Sequence, residues 1–211
     1  MLGVRTCSRA SHFGHALSLV IVLLCGSVLS GRSLAAEYEV DAVKAAFLHR
    51  FAAFVEWPEN ASSQEPFTIA VFSADRVVVH LERLLPDLRI RNRRARVRAL
   101  EVGGALEGVD ILYIGHQRLA EARDVLAAAT GRPILIVTDE PAGLTPSAVI
   151  NFVQVGRNVR FEASLPAAER NRLHLSSGLL SVAVRVEGAP RSYAAPLDLT
   201  SLNAYLPRSS R

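Results

Sequence analysis

Among the residue types that carry chemistry, the chain offers scattered histidines and one polar hairpin rather than a catalytic set. His49, His80, His116 and His174 stand singly, with no spacing that would bring two of them onto one metal. Ser176 and Ser177 lie close to His174 but lack a third group to orient a nucleophile and base pair. Gly103 and Gly104 lack the third glycine of a dinucleotide loop, and no GxSxG or HExxH motif occurs. The pattern points away from catalysis, from a bound cofactor and from a metal centre.

Three stretches could instead bind. Asn151, Arg160 and Glu162 sit in "INFVQVGRNVRFEAS", where they could line a polar recess beside Phe152 and Trp57. The alternative is a cross-strand pair of Arg160 with a glutamate and an amide that satisfies a turn. Thr138 and Asp139 end the apolar run "RPILIVTD", at the strand edge where open parallel sheets collect ligands. The third stretch is "RIRNRRARVR", with Arg89, Arg91, Arg93, Arg94, Arg96 and Arg98. It reads as an anion patch or as a sheet edge protected by its charges, and the balance favours the edge.

The elements that must position these residues begin with "VKAAFLHRFAAFVEWP", Val43 to Pro58. Val40, Val43, Phe47, Phe51 and Phe54 fall on one helical stripe, opposite alanines, and Pro58 sets the expected stop at Trp57. Phe67–Phe72 is apolar on both faces and predicts a buried strand. A helix over Ser73–Leu85 follows, capped by Ser73 or Asp75, with Val77, Val78, Leu81, Leu84 and Leu85 inward. "VDILYIG" and "RPILIVTD" supply two further buried strands, around a helix from His116 to Ala129. Beyond them the rhythm changes: Ala148–Val155 and Asn158–Ala163 predict a hairpin about Gly156 and Arg157. Ser164 and Pro166 open a short helix, and a strand at Leu173–Leu175 with a helix from Ser177 completes the pattern. This is an α/β fold: a single domain with a mixed, mostly parallel sheet flanked by helices and a C-terminal β-hairpin.

Residues 1–36 read as a signal peptide, with Arg5 and Arg9 before an apolar run from Ala16 to Leu29 and small residues before Ala36. The run is short for a membrane span. The expected domain covers 37–186, and 187–211, with Pro190, Pro196 and Pro207, reads as a loose tail. The leader holds three arginines and no acid, leaving 21 basic against 20 acidic residues in the rest, which gives no argument for nucleic acid. Both cysteines, Cys7 and Cys25, also fall in the leader, so the exported part can form no disulfide.

Taken together, "VKAAFLHRFAAFVEWP", "ILYIG", "GRPILIVTD" and "INFVQVGRNVRFEASLPAAERNRLHLSSGLL" resemble the YfiR family of exported bacterial proteins, over roughly Glu37 to Val184. The resemblance implies a periplasmic, non-enzymatic protein that tends to dimerise and inserts in no membrane. It implies binding to the periplasmic domain of an inner-membrane diguanylate cyclase, restraining cyclic di-GMP synthesis across the membrane. Phe152 and Glu162 match positions that the family places near the apolar recess used in partner contact. The chain departs from the family in lacking disulfide-forming cysteines and in having Ser164 at a usual asparagine. A competing reading is a small-molecule binding module, using Asp139 or the surroundings of Trp57, that reports to a sensor kinase.

Overall fold

A computed structural model describes residues 39–59, 61, 66–86 and 88–189. The expected leader, 1–36, and positions 190–211 of the expected tail lie outside the described residues. From Ala42 onward the chain makes one unit. It opens with helix α1 (39–51), followed by a short turn and strand β1 (Val55–Glu56).

Strand β2 (Phe67–Phe72), helix α2 (Asp75–Leu84) and strands β3 (Arg89–Ile90) and β4 (Arg93–Leu100) come next. Strand β5 (Ile111–Ile114), a 3-10 segment (His116–Ala122) kinked at Arg118, helix α3 (Arg123–Ala129) and strand β6 (Leu135–Thr138) continue the alternation. The chain then enters the hairpin β7 (Ile150–Val155) and β8 (Asn158–Ser164), turned at Gly156, whose φ of 61° suits a residue without Cβ. Helix α4 (Leu165–Arg170), strand β9 (His174–Leu175), helix α5 (Ser177–Val182) and strand β10 (Arg185–Glu187) complete the unit.

Among the described residues the main sheet has eight strands in the order β10-β8-β7-β6-β5-β2-β4-β3. Only the β3–β4 and β7–β8 pairings are antiparallel. A separate antiparallel pair joins β1 to β9, Val55 opposite Leu175. The mixed, mostly parallel α/β architecture expected from the sequence is the one observed.

Alternation along the central strands builds two cores on opposite faces of the sheet. Phe67, Ile69 and Val71 of β2, Ile111 and Tyr113 of β5, and Leu135 and Val137 of β6 join residues of α1, α2, α4 and α5 in one. Ala70, Phe72, Leu112, Ile114 and Ile136 join Ala122, Val125 and Ala129 in the other. Strands buried on both sides must be apolar throughout, which is why β2, β5 and β6 read as unbroken hydrophobic runs.

The helix ends show where local signals held. Ser164 caps α4 by accepting from the Ala167 amide, with Pro166 in the first turn, and Ser176 caps α5 through the Leu179 amide. At α2 the signal failed: Ala74 is the cap residue with no side-chain bond, and Ser73 adopts a φ of 57°.

Four expectations need correction. Helix α1 stops at residue 51 rather than near Trp57, because Val55 and Glu56 pair with β9 and the chain must turn to reach it. Its buried face is Ala45, Leu48 and Phe51 with Ala52 just beyond, while Val43 and Phe54, placed inward by the wheel, are exposed. Leu84 of α2 is likewise exposed where an inward position was expected. Residues 185–187, at the margin of the expected tail, instead form β10, parallel to β8.

Candidate functional site

The densest polar cluster sits at the C-terminal ends of the central parallel strands. Asp139, the residue after β6, is held by three segments distant in sequence. Lys44 of α1 places its Nζ 2.5 Å from Oδ2. The Tyr113 hydroxyl of β5 donates to Oδ2 at 2.9 Å, and the His116 amide donates to Oδ1 at 2.6 Å. His116 Nδ1 lies 3.3 Å from Oδ2.

Gly115, just before His116, passes close to the end of β2: a Cβ there would lie 2.3 Å from the Ser73 carbonyl oxygen, so no side chain fits. Burial is the largest influence on the Asp139 carboxyl and pushes its pKa up. The Lys44 charge and the hydrogen bonds from Lys44, Tyr113 and His116 together outweigh it and hold the pKa below the ordinary aspartate value.

An ionised carboxylate accepts about four hydrogen bonds, two at each oxygen. Three of these contacts fall on Oδ2 and one on Oδ1, and Asp139 is an anion that ties α1 to β5 and β6. The sequence located Asp139 at the strand edge but missed Lys44, Tyr113 and His116. One signal was available: Lys44 is the only lysine in a chain with 23 arginines. A compact ammonium on a flexible stem fits this enclosed place better than a planar guanidinium.

Next to this strut, Asn151 is wholly buried and clamps the loop after β6. Its Oδ1 accepts from the Thr138 hydroxyl at 2.7 Å and the Glu140 amide at 2.8 Å, and its Nδ2 donates to the Glu140 carbonyl at 3.1 Å. The register pairs Asn151 with Glu162, Phe152 with Phe161 and Val153 with Arg160. Asn151, Glu162 and Arg160 therefore share one face of the hairpin, and Phe152 and Phe161 the other.

The recess expected from these residues does not form as one site. Phe152 is buried, with ring centroids 5.7 Å from Phe51, 5.9 Å from Phe47 and 6.0 Å from Tyr113, so it is core beneath α1. Trp57 packs elsewhere, edge-on to Phe67 at 5.8 Å with the Arg91 guanidinium 5.5 Å above it. Glu162 does not pair with Arg160. It takes Arg185 of β10, Nε to Oε1 at 2.8 Å, and accepts from the Leu144 amide at 3.2 Å. Arg160 is exposed and reaches the Val182 carbonyl at 3.4 Å. Of the five residues only Arg160 is exposed; Glu162 is partly buried in its ion pair, and the others build the scaffold.

Several arginines of the arginine-rich segment are held by neighbouring groups, and β4 pairs with β2 on one side and β3 on the other. Arg93 grips Asp110 through both η nitrogens at 2.7 and 3.0 Å and bonds the Pro66 carbonyl at 2.8 Å. Arg96 Nε donates to the Thr68 hydroxyl at 3.0 Å, and Arg98 bonds the Ala105 carbonyl at 2.7 Å.

These elements, from α1 to Val184, coincide with the extent of a family match: a model described as YfiR/HmsC-like covers residues 41–184. The protein belongs to the YfiR/HmsC-like family. That is a family of periplasmic regulators, non-catalytic proteins that act through the periplasmic domain of a partner. No curated protein matches the chain. Among the described residues no helix is long and apolar enough to cross a membrane, and no cluster of three or more histidines and carboxylates could hold a metal ion.

One surface of this YfiR/HmsC-like domain was not legible beforehand. Phe54, 44% exposed, lies against Gly178 of α5, and the Phe54 carbonyl accepts from the Ser176 amide at 2.9 Å. Val182 of α5 and Val184 are 53% and 45% exposed, and Arg160 bonds the Val182 carbonyl. Three large apolar side chains of α1's end and of α5's end thus stand exposed to solvent.

Proposed function

We propose that the protein is a periplasmic regulator that represses a membrane-bound diguanylate cyclase by binding the cyclase's periplasmic domain. The observation that carries this reading is the YfiR/HmsC-like match over residues 41–184. The export signal expected over 1–36 would place the domain in the same compartment as its partner. Phe54, Val182 and Val184 form the contact face, with Arg160 and Glu162 at its rim. Exposed apolar groups bordered by charge are the usual form of a contact surface.

The mechanism needs no bond chemistry. A regulator that prefers one state of a two-state receptor by about 3 kcal/mol shifts that receptor's population more than a hundredfold. One small cluster of buried apolar anchors suffices for such a preference. Second copies of the chain are expected to pair, so the repressing species would be a homodimer.

The test is a pull-down from bacterial membranes with tagged protein lacking residues 1–36, followed by identification of the captured proteins. Recovery of a diguanylate cyclase with the parent chain, and its loss with Phe54→Asp or Val182→Asp, is expected. Recovery of a sensor kinase would replace the cyclase with that class of enzyme. Capture unaffected by either substitution would remove this face from the reading.

A further inference from the structure

Strand β4 (Arg93–Leu100) has eight residues, and its two sides are covered to different extents. It pairs with β2 along Ala95–Leu100, whereas β3 pairs only with Arg93 and Arg94. Strand β3 holds two residues and joins β4 through a tight turn at Arg91 and Asn92, with φ of 51° and 63°. Both are left-handed at residues that carry a Cβ, so the turn is strained.

The Ala95 amide donates outward from β4, to the Leu88 carbonyl at 3.2 Å. Backbone groups of successive residues point to opposite sides of a strand, so Val97 and Ala99 turn theirs the same way as Ala95. Among the described residues no strand pairs with them on that side. Ala99 is exposed, as is Val102 just beyond the strand.

A row of open N–H and C=O groups is a template for another strand, and proteins ordinarily shorten, charge or cover such an edge. The opposite edge is short, since β10 has three residues. The β4 edge is charged: its sequence, RRARVRAL, holds four arginines and no acid. Arg94, Arg96 and Arg98 share one face of the strand, while Ala95 and Val97 on the other pack against the core. Arg96 and Arg98 are oriented by bonds to the Thr68 hydroxyl and the Ala105 carbonyl, both neutral acceptors.

These charges select the occupant. In a second copy paired antiparallel, arginines would stand opposite arginines, which is destabilising. Residues 190–211 of the chain carry three arginines and one acid, Asp198, and suit the place no better. A strand with carboxylates at alternate positions would set them opposite the arginines and its intervening side chains beside Val97 and Ala99.

We propose that the open edge of β4, from Val97 to Leu100, binds an extended acidic segment of a partner protein by adding it to the sheet as a further strand. Main-chain bonds to Val97 and Ala99 supply the affinity, and Arg94, Arg96 and Arg98 the selectivity. The edge uses none of the residues of the Phe54 face, so either surface can fail without the other.

A fluorescently labelled hexapeptide alternating glutamate with valine is titrated against the full chain, beside its lysine counterpart. Saturable binding of the glutamate peptide is expected, with the lysine peptide at least tenfold weaker. Hydrogen exchange at the Val97 and Ala99 amides should slow when the peptide is added, while that at Ile111 in the sheet centre stays unchanged. Ala99→Pro removes an outward amide and no bond to β2, and should weaken the peptide at least tenfold with Tm unchanged. Arg96→Gln, which keeps a donor for Thr68, should weaken it at least threefold, and it carries the test should the proline variant not fold. Absence of saturable binding, equal binding of the two peptides, or full binding by folded Ala99→Pro would overturn the proposal. Protein that sediments with phosphatidylglycerol vesicles while ignoring the peptide would make the segment a lipid-facing patch and overturn it too. So would a dimer that Ala99→Pro dissociates, since a second copy would then hold the edge.

Discussion

Lys44 and Asp139 are 95 residues apart in sequence, yet their charged atoms meet at 2.5 Å, both side chains nearly sealed from solvent. The contact joins the first helix of the domain to the end of a central strand. Breaking a buried pair by removing one partner strands the other charge, which costs about 3 kcal/mol or more.

Lys44→Met is therefore expected to lower unfolding stability at pH 7 by about 3 kcal/mol in urea denaturation. The pH dependence has a defined sign. In the parent the Asp139 pKa lies below its ordinary 3.8, so the pair's stabilisation is complete above about 3.8 and is lost as pH falls through the folded-state value. In Lys44→Met, burial is no longer opposed by the ammonium, and the Asp139 pKa moves upward. The stability difference between parent and variant should thus shrink as pH is lowered toward about 3. A difference independent of pH would show that packing rather than charge dominates at Lys44.

Arg93 and Asp110 form a second enclosed pair with the opposite balance. Burial, the largest influence, raises the Asp110 pKa above its ordinary value despite the Arg93 and Thr68 hydrogen bonds and the charges of Arg93 and Arg91. A carboxyl with a raised folded-state pKa favours folding fully below its unfolded value and loses that contribution as pH rises through the folded one. Ionised Asp110 is thus a cost at neutral pH. Asp110→Asn, which keeps an acceptor oxygen, should change stability by less than about 1 kcal/mol, whereas Arg93→Met should lose about 3. Thermal unfolding of both at pH 7 decides this, and equal losses would contradict it.

Two phenylalanines three residues apart should respond oppositely. Phe51 is 2% exposed, with ring centroids 5.2 Å from Phe161 and 5.7 Å from Phe47 and Phe152, so Phe51→Ala should cost about 4 kcal/mol. Phe54→Ala should cost less than about 1 kcal/mol and act on partner binding instead. Urea midpoints, read beside the membrane pull-down, test both halves.

Asn151 satisfies the Thr138 hydroxyl at the end of β6 and two backbone groups of the loop that follows. Asn151→Leu would leave the Thr138 hydroxyl and both backbone groups of Glu140 without it, for a loss of about 3 kcal/mol. Hydrogen exchange at the Glu140 amide should quicken relative to the amides of β6. Unchanged exchange at Glu140 would refute the clamp.

The clearest differences between expectation and structure lie on α1 and the hairpin. A helical wheel ranks Val43, Phe47, Phe51 and Phe54 as one stripe by hydrophobicity alone. The actual face, Ala45, Leu48 and Phe51, was chosen by how the helix lies on Phe152 of β7 and Phe161 of β8 and by the turn that delivers Val55 to β9. The hairpin register was readable from its alternation and from Gly156, but Glu162's partner was not, because Arg185 arrives on a strand of only three residues. The carrier of the proposed contact face, Phe54, was present in the sequence without its surroundings.

Amino-acid order alone determined the local elements: unbroken apolar runs for strands buried on both faces, serine caps for α4 and α5, and glycine at the β7–β8 turn. Those depend on residues within one turn or one strand, so their physics is written locally. Only the tertiary structure decided that the single lysine meets Asp139, that Phe152 belongs to the core, and that Phe54 and the arginines of a strained turn face water. Each of these depends on which distant surfaces cover which, and burial of that kind is a property of the whole packing.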